Sequence, residues 1–180
     1  FAILLLLPFL LILLLYSYVV LKNQSPGPLL FKQRRIGING KAFTIYKIRT
    51  MHISKAEPNN ILFDDTRIFN FGEILRRYHL DELPQLLNVL KGDMHIIGPR
   101  AEWNKLEKEY SNTIPFYKLR NSVSPGITGW AQVMFRYGFD AYDAYEKLTY
   151  DLYYIENWSI WLEFEIILRT IVVILDKNRF

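Results

Sequence analysis

The chain has 180 residues, of which 22 are Lys or Arg and 18 are Asp or Glu, and 51% of its residues are hydrophobic. It contains no cysteine, which excludes a disulfide framework, cysteine-ligated zinc or iron–sulfur sites, and a thiol nucleophile. The length suits one domain, and the abundance of apolar residues excludes a disordered chain.

The charged residues are distributed unevenly. Residues 1–21 carry none of them, whereas residues 22–55 contain eight basic residues and no acidic one. An apolar segment followed directly by basic residues is what an anionic membrane surface attracts, at roughly 1 kcal/mol per juxtamembrane Lys or Arg. Nucleic acid is the rival partner for the basic stretch, but it leaves the apolar segment unexplained.

Residues 1–22 are therefore predicted to form a membrane-embedded helix. A helix of this length extends about 30 Å, the thickness of the hydrocarbon core, so it is long enough to span. Pro8 predicts a kink, because proline removes a backbone hydrogen bond inside a helix, and a kinked helix can leave by the face it entered. From the residues alone, the spanning and re-entrant forms stay open. In both, the basic residues predict a cytoplasmic location for residues 23–180, taken as one domain.

A β-hairpin is predicted next. Two β-rich runs, LLFKQRRI and KAFTIYKI, flank residues 37–40. Asn39 and Gly40 both tolerate the positive φ angles of a tight hairpin turn. After an irregular connection over residues 52–66, the pattern predicts helices at 72–78, 84–90 and 101–110 and a strand at 94–97, with Lys91-Gly92 ending the second helix. The fold class is therefore α+β, with the hairpin packed on helices.

The last third of the chain is rich in aromatic residues. Ten of them lie between residues 137 and 164, and an apolar run at 166–175 follows, interrupted by Arg169. This run is too short to span a bilayer. Amphipathic helices lying at the membrane interface are predicted, with ordinary core packing as the alternative.

Two adjacent carboxylates, Asp81 and Glu82, are the first candidates for chemistry. Pro84 fits only near a helix start, which puts both at the N-terminus of a helix, where they should stay ionised and where phosphate groups are favoured. Neighbouring helical residues point about 100° apart, so the pair cannot share a proton. One nucleophile and one metal ligand is the more natural division, although the pair alone is typical of any helix start.

Several cations in the same chain point to phosphate binding, although each alone is typical of a solvated surface. The Walker A, GxGxxG, HExxH and GxSxG patterns are absent, and the three histidines are too dispersed to suggest a metal cluster. Turns are predicted at Pro125-Gly126 and at Gly129. The candidate cations are Lys47, Arg49, Arg76 and Arg100.

Five ordered blocks make the sequence recognisable: SPGPLLFKQRRIGINGKAFTIYKIRTM, DDTRI, LRRYHLDELPQLLNVLKGDMHIIGPRAE, SPGITGWAQV and KLTYDLYYIENWS. Together they resemble the bacterial monotopic phosphoglycosyl transferases, over about residues 1–175. The resemblance implies Mg²⁺-dependent transfer of a sugar 1-phosphate from a UDP-sugar to polyprenyl phosphate, with release of UMP. The reaction would begin glycan assembly at the cytoplasmic face of the bacterial inner membrane, with Pro8 at the bend of a re-entrant helix.

The same resemblance implies roles for individual residues. Asp81 matches the nucleophile that forms a phosphosugar–aspartyl intermediate, and Glu82 matches its partner at the Mg²⁺, so these two residues are the expected catalytic residues and metal ligands. Phosphate or substrate binding is implied for Arg76, Arg100, Lys47, Arg49 and Arg136.

Other interpretations remain at this point. A non-catalytic membrane-surface module would use the basic stretch for anionic lipid, and nucleic-acid binding would show steep salt dependence. The sugar, the polyprenol length, the pathway and homo-oligomer formation stay open. Larger members of the family carry further segments, so the chain could also be a fragment.

Overall fold

The computed structural model describes residues 2–53, 67–135 and 141–176. These ranges contain both helices and short strands, which confirms the predicted α+β class. The helices are α1 (Ala2–Gln24), α2 (Asn70–Arg77), α3 (Leu86–Lys91), α4 (Asn104–Thr113), α5 (Trp130–Met134), α6 (Ala141–Glu156) and α7 (Ile160–Leu175). The strands are β1 (Leu30–Ile36), β2 (Ala42–Ile48), β3 (His95–Ile97) and β4 (Gly126–Thr128).

The chain divides into two compact units. Of the described residues, the first unit comprises 2–32, 46–53 and 67–86, and the second comprises 33–45, 87–135 and 141–176. The predicted division into a membrane helix at 1–22 and one domain at 23–180 stays a prediction.

The hairpin is confirmed. β1 and β2 pair in a two-stranded sheet, and the turn has positive φ angles at Asn39 (53°) and Gly40 (76°). A hydrogen bond of 2.7 Å from the Asn88 side chain in α3 to the Thr44 carbonyl holds the hairpin against a helix in the second unit, as predicted. Most of the predicted connection at 52–66 lies outside the described residues.

In the first unit, α1 packs against α2. The rings of Tyr16 and Phe71 meet edge to face with centroids 5.6 Å apart. Leu10, Ser17 and Leu21 are buried, and the rest of the described part of α1 is largely exposed. Pro8 lies inside the helix, but its predicted kink stays a prediction. Within the described residues, no helix combines the length and apolarity that crossing a membrane requires.

The predicted helix at 84–90 is observed in two parts. A 3₁₀ helix at Leu80–Gln85 precedes α3, and His79 before it adopts a left-handed conformation with a φ angle of 52°. Gly92, with a φ angle of 78°, follows the end of α3, as the sequence predicted. The carboxylates Asp81 and Glu82 lie in the first turn of the 3₁₀ helix.

The second unit contains a parallel strand pair that the sequence analysis missed in part. β3 pairs with β4 in the register His95 to Gly126 and Ile97 to Thr128. The turn predicted at Pro125-Gly126 was wrong at Gly126, which begins β4 and lies against β3: a Cβ there would be only 2.2 Å from the Gly98 nitrogen. A glycine in such a position can allow two backbones to approach closely, and does not by itself indicate a turn.

The C-terminal helices form the core of the second unit. One buried cluster joins β3, α5, α6 and α7, and a second joins α4, the 3₁₀ helix at Tyr117–Ser122 and α6. On α7, Ile166 is fully buried, whereas Ile160, Trp161 and Leu175 are each more than 70% exposed. The exposed side of α7 is therefore largely apolar, although it also carries Glu165 and Arg169.

Candidate active site

Five of the predicted site residues lie in the first unit and one lies in the second. Arg136 lies outside the described residues, and so its predicted role stays a prediction. The first unit holds Lys47, Arg49, Arg76, Asp81 and Glu82, and the second holds Arg100.

The two carboxylates of the first unit are in different environments. Asp81 is only 8% exposed. Glu82 is partly buried, and its Oε1 accepts a hydrogen bond of 2.6 Å from Nζ of Lys47, at the end of β2. The hairpin therefore places the Lys47 ammonium beside the start of the 3₁₀ helix that carries both carboxylates.

Burial raises the pKa of Asp81 from 3.8 to about 6. The positive charges of Lys47 and Arg76 oppose this rise, and the negative charge of Glu82 adds to it. The helix start alone suggested a carboxylate held firmly in its ionised form, and burial is the contribution that sequence could not supply. Near pH 7 the group is still mainly ionised, but it is more basic than an exposed aspartate and hence a better nucleophile.

Arg76 is held by a threonine that the sequence analysis did not single out. Its Nε donates a hydrogen bond of 2.8 Å to Oγ1 of Thr50, a residue that is only 6% exposed. Thr50 is the second residue after β2, and Arg76 lies in the last turn of α2. The hydrogen bond joins the hairpin to the helix that precedes the carboxylates.

Arg49 makes a different set of contacts. Its guanidinium donates to the carbonyls of Pro28 (2.8 Å) and Met51 (3.1 Å), and to both Oγ and the carbonyl of Ser25. The side chain is 6% exposed. These contacts hold together the segment that follows α1, and the predicted phosphate contact of Arg49 stays a prediction.

The second unit contains a buried charged centre that the sequence analysis missed. Arg120, 6% exposed, donates to Asp151 (2.9 Å from Nε), to the Tyr117 hydroxyl (2.7 Å) and to the Arg100 carbonyl (2.9 Å). Burial by itself lowers the pKa of Arg120, but the charges of Asp151, Tyr117, Glu102 and Glu107 together outweigh burial, with Asp151 contributing most among them, and the pKa is raised. No sequence signal marked this pair, because its members are 31 residues apart.

The backbone around Arg100 is held on several sides. The carbonyl of Pro99 accepts from the Gly126 amide (2.9 Å), and that of Ala101 accepts from Nη1 of Arg35 (2.9 Å). With the Arg120 contact, three consecutive carbonyls are hydrogen-bonded to three separate elements of the second unit. The position of the Arg100 backbone is thus well determined, while its predicted phosphate contact stays a prediction.

The carboxylates of Asp81 and Glu82 are the oxygen donors available for the predicted Mg²⁺. Among the described residues, no three His, Cys, Asp or Glu side chains converge as a complete protein site. Mg²⁺ is usually bound through one or two carboxylates together with substrate oxygens and water. The oxygen donors of Asp81 and Glu82 fit that pattern.

Residues 1–177 match the family model described as bacterial sugar transferase. The chain belongs to this family. The match confirms the family resemblance that the five sequence blocks indicated, and it covers both units of this bacterial sugar transferase.

Several curated proteins are similar to this bacterial sugar transferase. One is the UDP-N-acetylgalactosamine-undecaprenyl-phosphate N-acetylgalactosaminephosphotransferase of Aeromonas hydrophila, 44% identical over 91% of this chain and 39% of that protein. A second is the UDP-glucose:undecaprenyl-phosphate glucose-1-phosphate transferase of Caulobacter vibrioides, 41% identical over 92% of this chain and 64% of that protein. The exopolysaccharide production protein PSS of Rhizobium leguminosarum is 39% identical, over 99% of this chain and 91% of that protein. The chain thus spans well under half of the Aeromonas protein and just under two thirds of the Caulobacter protein.

Proposed function

We propose that this bacterial sugar transferase moves a sugar 1-phosphate from a UDP-sugar to polyprenyl phosphate, releasing UMP and forming a polyprenyl-diphospho-sugar. The names of the relatives support the reaction class. The observation that carries the proposal is the buried Asp81 carboxylate. Its pKa is raised, and it interacts electrostatically with Lys47, Glu82 and Arg76. Strongly shifted carboxylates beside such charges are typical of reaction centres.

In the proposed first step, a carboxylate oxygen of Asp81 attacks the phosphorus that bears the sugar. A bond forms between that oxygen and phosphorus, the bond from phosphorus to the bridging oxygen of the diphosphate breaks, and the bridging oxygen leaves with UMP. In the second step, a phosphate oxygen of polyprenyl phosphate attacks the same phosphorus. The bond to Asp81 then breaks and the carboxylate is restored, so a water-soluble donor and a lipid acceptor use one site in turn.

The attack requires cations, because the carboxylate and the diphosphate are both negatively charged. Lys47 and Arg76 supply positive charge around Asp81, and phosphoryl transfer depends largely on such electrostatic stabilisation. Arg100 is proposed as a further phosphate ligand.

We also propose Mg²⁺ as cofactor, held by Asp81 and Glu82. When bound, the ion neutralises charge on the phosphate oxygens and favours departure of the leaving group. The hydrogen bond from Lys47 restricts the position of the Glu82 carboxylate.

Attachment to the cytoplasmic face of the bacterial inner membrane is proposed as well, with α1 as a re-entrant helix and α7 at the interface. Described residues of α1 such as Ile12 and Leu15, and Trp161 and Val172 on α7, are 60–79% exposed. Apolar patches of this kind usually mark an interaction surface, and the basic residues after α1 favour anionic lipid.

The function is tested by measuring UMP release. The protein in detergent or nanodiscs is incubated with Mg²⁺, polyprenyl phosphate and a panel of UDP-sugars, beside Asp81→Asn and Asp81→Ala. We expect release with one or a few sugars, and a loss of at least about 1,000-fold in both variants, since each lacks the nucleophile. Glu109→Gln, which changes an exposed carboxylate on α4, should retain activity.

The covalent step has its own test. Without acceptor, wild-type protein should release about one equivalent of UMP, and mass spectrometry should find a sugar phosphate on the peptide containing Asp81. Equal UMP release by wild type and Asp81→Asn would remove Asp81 as nucleophile. Folded wild-type protein that releases no UMP with any UDP-sugar would contradict the function and favour a non-catalytic membrane-surface module.

A further inference from the structure

Thr50 contacts α2 through two different atoms, and the first is its backbone oxygen. A Cβ built on Gly72 would lie only 2.2 Å from the Thr50 carbonyl oxygen, a distance that no side chain tolerates. Glycine at 72 therefore allows the helix to lie directly on the backbone that follows β2. Gly72 and Thr50 are both buried.

The second contact is made by the threonine hydroxyl. Arg76 lies four residues beyond Gly72 on α2, so both residues lie on the same face of the helix. The Oγ1 atom of Thr50 accepts the 2.8 Å hydrogen bond from Nε of Arg76. The close approach at Gly72 and the hydrogen bond at Arg76 thus depend on the same residue.

A hydrogen bond at Nε constrains an arginine more than a bond at either terminal nitrogen. The guanidinium is planar and its five N–H groups form a rigid fork, so holding Nε in place sets the direction of the whole group. Thr50 is itself stiff, because it is β-branched and buried. The charge held in this way acts on Asp81.

We propose that Thr50 is a positioning residue, whose hydroxyl directs the Arg76 guanidinium toward the phosphate oxygens of a nucleoside diphosphate sugar at Asp81, with Gly72 making that contact possible. The inference rests on the proposed function and goes beyond it, because it assigns Thr50 a role that is exerted through Arg76. This positioning role explains why Thr50, a buried polar residue, lies just after β2, the strand that supplies the active-site cation Lys47.

The test compares three variants in the UMP-release assay. Thr50→Val keeps the shape but removes the acceptor, and should lower kcat/KM about tenfold or more, as expected for a lost hydrogen bond to a charged group. Thr50→Ser restores the hydroxyl and should retain most of the activity. Thr113→Val makes the same chemical change at an exposed position of α4 and is the matched control.

A double-mutant cycle separates positioning from general damage. Arg76→Lys removes Nε, so in that background Thr50→Val should cause little further loss. Additive losses from the two substitutions would overturn the inference, since Thr50 would then act independently of Arg76. Thermal unfolding of each variant is measured in the same micelle, and Thr50→Ala provides the same test if the valine variant is unstable.

The outcomes distinguish the inference from the function on which it rests. Wild-type protein that releases no UMP overturns the proposed function, and the positioning role with it. Active wild type with equal kcat/KM in Thr50→Val and Thr50→Ser overturns the positioning role alone. Loss in Thr50→Val, rescue in Thr50→Ser and non-additivity with Arg76→Lys support it.

Discussion

Two buried charges, Asp81 in the first unit and Arg120 in the second, differ in the balance between the cost of burial and the effect of neighbouring charges. They are almost equally inaccessible, at 8% and 6% exposed. Around Arg120, the combined charges of Asp151 and the other negative groups outweigh the cost of burial, and the pKa of the guanidinium rises, which favours its charged form. Around Asp81, burial outweighs the neighbouring cations, and the pKa of the carboxyl rises to about 6, which disfavours its charged form.

The difference separates a structural charge from a reactive one. Arg120 is bonded directly to a carboxylate, a phenol and a backbone carbonyl, so its charge stabilises the second unit. Asp81 remains costly to ionise despite Lys47 and Arg76. An ionised carboxylate of this kind gains most from forming a bond or binding a cation.

Removal of Arg120 should cause the largest loss of stability. In Arg120→Met, Asp151 would remain as a buried charge without its partner, and we expect the free energy of unfolding to fall by about 3–5 kcal/mol. Chemical unfolding in a fixed micelle measures it. The double variant Arg120→Met/Asp151→Asn should recover part of the loss, and a small effect in Arg120→Met alone would contradict the structural role.

Asp81→Asn should instead stabilise the metal-free protein in a pH-dependent way. Because the folded-state pKa of about 6 lies above the unperturbed 3.8, wild type loses stability as the pH rises from about 4 through about 6. The loss reaches on the order of 3 kcal/mol near neutrality. Asparagine carries no charge, so Asp81→Asn does not undergo this loss of stability. The free energies of unfolding of the two proteins should therefore be similar near pH 4 and should differ above pH 6.

The measurement is unfolding across this pH range in the presence of a chelator. Glu109→Gln, at an exposed carboxylate, should follow wild type throughout. Parallel profiles for wild type and Asp81→Asn would show that burial does not perturb Asp81, and would remove the contrast with Arg120.

The smallest effect is expected at an exposed ion pair. On α7, Nη2 of Arg169 lies 2.7 Å from Oε1 of Glu165, but each side chain is nearly half exposed. Glu165→Gln should lower the free energy of unfolding by about 0.5 kcal/mol or less, and added salt should reduce the difference further. A loss as large as that in Arg120→Met would mean that burial does not govern the strength of these pairs.

Local sequence patterns predicted much of the fold. The Asn39-Gly40 turn, the helix at 72–78 and the halt of α3 at Gly92 depend on backbone preferences of a few neighbouring residues, and such preferences are visible in sequence. β4 was missed because three residues with a glycine at one end carry the signature of a turn, and only pairing with β3 makes them a strand.

Some features of the candidate site were likewise predictable from local sequence, and others were not. Five ordered sequence blocks were enough to identify the family, and local pattern was enough to place Asp81 and Glu82 side by side at a helix start. Which charges are paired, and at what cost, follows from the fold, since the Lys47 to Glu82, Thr50 to Arg76 and Arg120 to Asp151 contacts join residues 26 to 35 positions apart. Burial and long-range pairing are properties of the folded chain, and they are what distinguishes Asp81 from an ordinary acidic residue at a helix start.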